Sequence, residues 1–126
     1  MTDRYGEQDA LKLCELLYDK KASDILAIHV GDRTIVADWF LIASGRSVPH
    51  VKALCDELED RAAQAGLQVR RKEGYEEGRW IVLDFGFALV HLFHPEERSY
   101  YNMERLWETD GSVIHYTKED EKGGEE

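Results

Sequence analysis

His91 and His94 stand three apart in the stretch Arg79 to Trp107, the densest apolar and aromatic part of the chain. Two metal ligands must converge, yet on a strand this spacing points them to opposite faces, so they cannot share an ion. Asp84-Phe85-Gly86 matches the Mg²⁺-binding tripeptide of protein kinases, but no Gly-rich loop, strand lysine or H-R-D segment accompanies it, and it reads as turn chemistry. Ser44 or Ser47 with His91 and Asp84 supplies the ingredients of a hydrolytic triad without a nucleophile elbow. Nucleotidyl transfer needs a glycine-serine turn for phosphates and carboxylates two apart on a strand to hold Mg²⁺. Ser44-Gly45-Arg46-Ser47 could mimic the turn, but Glu57-x-Glu59 falls on a predicted helix, where alternate residues diverge, and Glu119-x-Glu121 falls in the tail. Cys14 and Cys55 occupy apolar positions of predicted helices and suit reduced core thiols better than a disulfide or a metal site. The residues therefore predict no cofactor, no metal and no catalytic group. Asp84 and His91 read as a diagonal cross-strand hydrogen-bonded pair that fixes a hairpin.

That hairpin is the element around which the chain is built. Arg79–Phe85 and Ala88–His94 are apolar runs separated by Gly86-Phe87, and glycine at the first central position fits a two-residue type II′ turn. Pairing outward sets Asp84 against Leu89, Val82 against His91 and Trp80 against Phe93. One face then carries Ile81, Leu83, Phe85, Ala88, Val90 and Leu92 and is a core face. The other carries Trp80, Val82, Asp84, Leu89, His91 and Phe93 and is aromatic with a polar pair. Pro95 with Glu96 and Glu97 predicts a helix starting near His94 or Pro95 and running on to Trp107, with Tyr100, Met103, Leu106 and Trp107 as its stripe and Tyr101 beside it.

Upstream, Ala10, Leu13, Cys14 and Leu17 trace a helix over Glu7 to Lys20. Ile25–Val30 and Trp39–Ser44 read as strands joined through a turn at Gly31-Asp32. Ser47 is a good N-cap for a helix with Pro49 in its first turn, whose apolar stripe runs from Val51 to Ala65 and which Gly66 terminates. Its outer face carries Asp56, Glu57, Glu59 and Asp60. Leu67–Arg71 is a candidate strand before the charged loop 72–78. The order predicts a single α/β (α+β) domain, a mixed sheet of about five strands with helices packed on it. Beyond Trp107 only Val113–Tyr116 has strand character, and 108–126 is expected to be an acidic, disordered tail after a domain spanning 1–107.

With 126 residues and 43% hydrophobic content the chain can bury one core without staples. No signal-peptide pattern opens it and no apolar run approaches the roughly 18 residues of a membrane span, so a soluble, cytoplasmic protein is expected. A formal charge of −10 argues against sequence-independent nucleic-acid binding, which needs clustered Lys and Arg, and suits a basic protein partner.

W-I-V-L-D-x-G, V-H-L-F, P-E-x-R and Y-x-x-E-R-L-W follow one another between Trp80 and Trp107, and D-K-K-A-S-D-I, A-D-W-F-L-I-A-S-G and S-x-x-H-V lie upstream at Asp19, Ala37 and Ser47. This ordered set resembles the Iojap, or ribosomal silencing factor RsfS, family over about residues 7 to 107. Two departures stand out: Phe87 and His29 occupy positions where the family usually has acidic residues. The resemblance implies a nucleotidyltransferase-like fold without the catalytic carboxylates. It further implies a translation repressor that binds large-subunit ribosomal protein fourteen, where the small subunit docks, and so blocks subunit joining under nutrient limitation. No membrane and little direct nucleic-acid binding are the accompanying expectations, and whether the free form is a homodimer is left open by the sequence. The alternative is a nucleotidyltransferase-like enzyme with an unrecognised site. A partner-binding site is expected to combine Trp80, Asp84, His91 and Phe93 of the hairpin with Glu97, Arg98, Tyr100, Tyr101 and Trp107 of the following helix.

Overall fold

The computed structural model describes residues 6–31, 36–106 and 113–116. Helix α1 (Glu7–Asp19) is followed by β1 (Ser23–His29) and β2 (Trp39–Ser44), then α2 (Val48–Gln64), β3 (Arg71–Glu73), β4 (Trp80–Asp84) and β5 (Ala88–Phe93). A short α3 (Pro95–Tyr101), a 3₁₀ turn (Met103–Leu106) and β6 (Val113–Tyr116) follow among the described residues. The strands form one mixed sheet in the order β3-β4-β5-β2-β1-β6. Its central pair, β2 and β5, is parallel and all other pairs are antiparallel. The molecule is thus the expected single α+β domain.

The central strands are buried on both faces, as a parallel pair in the middle of a sheet requires. On one face Ala27, Trp39, Leu41, Ala43, Ile81, Leu83, Val90 and Leu92 meet the stripes of α1 and α2, including Leu13, Leu17, Leu54 and Leu58. On the other a smaller cluster gathers Leu26, Ile28, Phe40, Ile42 and Phe93, with Trp80, Leu89, Met103 and Val113 packed against it. Alternation along each strand sorts residues between these clusters, and each Leu, Ile or Phe buried this way contributes about 1.5–3 kcal/mol over an exposed position.

The hairpin has the expected register: Trp80 opposite Phe93, Val82 opposite His91, Asp84 opposite Leu89. Gly86 sits at φ +90°, and the Phe85 amide donates to the Ala88 carbonyl at 2.9 Å. Ser47 caps α2, its hydroxyl accepting from the His50 amide at 3.2 Å.

Three expectations differ. Among the described residues the sheet has six strands rather than about five, because Val113–Tyr116, the part of the expected tail that had strand character, pairs antiparallel with β1. Residues 107–112 and 117–126 of that stretch lie outside the described residues. The strand expected at Leu67–Arg71 is displaced to Arg71–Glu73. Leu67 is taken up by the end of α2, where its amide donates to Ala62 O at 2.8 Å and that of Gly66 to Ala63 O at 3.0 Å, a Schellman closure. The ladder to β4 therefore begins only where the Arg70 amide reaches Asp84 O, at 2.7 Å. Finally, the helix expected to run to Trp107 stops at Tyr101, because Asn102 takes a left-handed conformation (φ +47°) with its amide on Arg98 O at 2.7 Å. Asparagine tolerates that region better than other side chains. Tyr100 and Met103 are consequently not on one stripe.

Candidate functional site

Trp80, His91, Phe93 and Tyr101 form one aromatic assembly. Trp80 stacks on Phe93 across the β4–β5 pair with ring centroids 4.9 Å apart, and Tyr101 from the end of α3 lies 4.8 Å from the indole. Tyr100 meets Tyr101 edge-on at 5.0 Å. Tyr100 is 81% exposed and Tyr101 50%, whereas Phe93 is fully buried and His91 is 5% exposed. The assembly thus runs from the second core cluster outward to two tyrosines at the surface.

Glu97 belongs to the same corner. With Glu96 it receives the Arg79 guanidinium, at 2.9 and 3.0 Å, while the Arg79 carbonyl accepts from the His94 amide at 2.9 Å. The His94 ring accepts from the Glu96 amide at 3.2 Å and caps the helix. These contacts clip the first turn of α3 to the start of β4, one residue before Trp80. Arg79 was not among the expected site residues, although its place beside Trp80 and opposite a Glu-Glu pair was a usable signal. Arg98 turns inward instead, donating to Ser44 Oγ at 2.9 Å, and is 8% exposed. Asp84 stands four residues from Trp80 at the far end of β4, where its carboxylate accepts from the Gly86 amide at 2.8 Å. Trp107 lies outside the described residues.

The expected Asp84–His91 hydrogen bond is not formed. His91 Nδ1 accepts instead from the indole N–H of Trp80 at 3.1 Å, because the diagonal toward Trp80 brings a donor to the ring while Asp84 is held by the turn. An accepting Nδ1 places the proton on Nε2, and that N–H has no hydrogen-bond partner among the described residues. Leaving such a group unsatisfied costs about 1–3 kcal/mol. Its surroundings are Phe40, Phe93 and Trp80, with the Phe40 ring edge-on at 5.4 Å.

Burial in this apolar setting lowers the His91 pKa from 6.5 to about 4. The folded state thus refuses a proton that the unfolded chain accepts below pH 6.5. Stability from this residue is full above pH 6.5 and is lost as pH falls toward 4. The shift sets a ceiling of roughly 3 kcal/mol, and structural relaxation brings the expected effect to about 2 kcal/mol. Urea denaturation of the protein and of His91→Phe at pH 7 and pH 4.5 should show the difference between the two moving by that amount in favour of the variant. A pH-independent difference would show that His91 ionises freely in the folded state.

The glycine-serine turn between β2 and α2 is occupied by its own neighbours. The Gly45 amide donates to Phe93 O and the Arg46 amide to His50 Nδ1, both at 3.0 Å, while His50 Nε2 reaches Lys20 O at 3.0 Å. These contacts tie the ends of β2, β5 and α1 to the start of α2, and the Gly45 and Arg46 amides are taken up within the fold. Glu57 faces Lys20 and Arg61 at 3.7 and 3.9 Å, and Glu59 faces Lys72 at 3.0 Å. His29 and Phe87 serve packing: the His29 ring meets Trp39 edge-on at 5.0 Å, and Phe87 joins the larger core cluster. Cys14 and Cys55 are free and fully buried, and burial pushes both thiols up to about 12. Among the described residues no helix is long and apolar enough to cross a membrane.

Comparison with known proteins agrees on one family. The family model for "Ribosomal silencing factor during starvation" matches residues 5–126. A ribosomal silencing factor RsfS from Bacillus subtilis is 48% identical over 89 residues, 71% of this chain and 75% of that protein. A crystal structure of a Bacillus halodurans protein superposes with a TM-score of 0.74 at 37% identity, covering 87% of this chain and all of that one. A Chromobacterium violaceum structure gives 0.77 at 33% identity over 81% and 86% of the two chains.

Proposed function

The chain belongs to the RsfS family of ribosomal silencing factors, and from that premise we propose that it binds large-subunit ribosomal protein fourteen on the large ribosomal subunit, blocks joining of the small subunit and represses translation when nutrients are scarce. It acts in this reading by occupying a surface and not by catalysis. The observation that carries the reading is the corner where Trp80, Tyr100 and Tyr101 meet beside Glu96 and Glu97. Aromatic groups of this kind supply the anchors of protein interfaces, and the net charge of the chain, −10, suits a basic ribosomal protein.

The direct test is sedimentation of the purified protein with separated ribosomal subunits, followed by a joining assay. Co-migration with free large subunits and fewer joined particles are expected; migration apart from large subunits would overturn the proposal. The net charge of −10 adds a kinetic expectation. Raising salt from about 50 to about 500 mM shrinks the Debye length below about 5 Å, so association should slow severalfold while dissociation changes less. An association rate indifferent to salt would show that the aromatic anchors suffice.

A further inference from the structure

Among the described residues the imidazole of His91 makes one hydrogen bond, to the Trp80 indole, and leaves its other nitrogen without a partner in an apolar setting. A phenylalanine would fill much of the same space without the orphan Nε2–H, but it would leave the Trp80 indole N–H without its acceptor. The one thing the imidazole supplies that a phenyl ring cannot is an acceptor at Nδ1, aimed at the indole N–H. That bond acts together with the stack on Phe93 to fix the rotation of the Trp80 ring, and Trp80 is the platform against which Tyr101 rests. His91 itself, 5% exposed, is beneath the surface that a partner can reach.

We infer that His91 is a positioning residue for the partner-binding corner: its neutral ring holds the Trp80 indole in one orientation, and through it Tyr101, without meeting the partner. The inference rests on the reading that the Trp80–Tyr101 corner binds the ribosome. Order among these side chains is then set before binding, so that the partner meets a fixed surface and does not have to immobilise the aromatic groups itself.

Two substitutions separate the acceptor from the packing. In His91→Asn the side-chain oxygen stands the same number of bonds from Cα as Nδ1 and can accept from the indole, though the shorter side chain leaves a void. In His91→Phe the void is filled and the acceptor is gone. Stability and binding are therefore expected to fall in opposite order. His91→Phe exchanges the unpaired Nε2–H for an unpaired indole N–H, so it should melt near the parent temperature yet bind large subunits about tenfold more weakly, the equivalent of one neutral hydrogen bond. His91→Asn should melt lower but bind within about threefold of the parent by the same reasoning.

The second readout needs no ribosome. In ¹⁵N-labelled protein the indole N–H of Trp80, assigned by its loss in Trp80→Phe, should exchange with solvent at least tenfold faster in His91→Phe than in the parent, with slow exchange restored in His91→Asn. Equal exchange in parent and His91→Phe overturns the inference whatever the binding shows. Parent-strength binding by His91→Phe, or equal loss in both variants, overturns it as well. Failure of the underlying site reading registers separately, as undiminished binding by a Tyr100→Ala/Tyr101→Ala double variant.

Discussion

Replacing Tyr100 and Tyr101 together by alanine is expected to weaken association with large ribosomal subunits about hundredfold and to leave the melting temperature of the free protein nearly unchanged. Tyr100 is 81% exposed and Tyr101 50%, so the free fold gives up little apolar burial when they are shortened. At an interface the balance reverses. Truncating an aromatic anchor that a partner buries typically costs about 2 kcal/mol or more, and because two neighbouring anchors do not add fully, about 3 kcal/mol is expected for the pair. A sedimentation titration alongside thermal melts provides both quantities. Undiminished affinity in a normally folded variant would move the partner elsewhere, with the acidic outer face of α2 around Asp56, Glu57 and Asp60 as the next surface to test.

The largest effect on stability is expected at Gly74, six residues before Trp80 and packed against the backbone of the aromatic corner. Gly74 has φ +83°, and a Cβ built there runs into the carbonyl oxygen of Trp80. The obstacle is strand backbone paired to β5, which has no rotamer to escape into. The left-handed conformation costs a side-chain-bearing residue about 1–2 kcal/mol, and the collision raises the expected loss for Gly74→Ala to about 4 kcal/mol. Gly66→Ala is the control, since Gly66 has φ +88° with nothing within 4 Å of the added carbon. That variant should lose only the conformational part, about 1–2 kcal/mol. Urea denaturation of both would decide the matter. Equal losses would mean that β4 shifts at Trp80 without resistance.

What could be read from the sequence was local. The hairpin register followed from a two-residue glycine turn, since once Phe85 faces Ala88 every later pair down to Trp80 and Phe93 is determined by chain geometry. The stripes of α1 and α2 and the caps of α2 were equally legible, because Ser47, Pro49 and Gly66 act on backbone groups within a few residues of themselves. The ordered motifs between Asp19 and Trp107 were enough to suggest the family. Tertiary structure decided whatever depended on competition between distant groups. Val113–Tyr116 had strand character in the sequence, but its place beside β1 was decided by the sheet. Leu67 went to the end of α2 and not to the sheet. Arg98, which reads as a surface charge, turned inward because the hydroxyl of Ser44, fifty-four residues away, lies within reach. The hairpin register placed Trp80, Asp84 and His91 on one face, but not which of the other two the imidazole would bond. Asp84 was drawn off by the Gly86 amide beside it, and burial under Phe40 and Phe93 left the indole N–H as the donor that His91 Nδ1 could accept from.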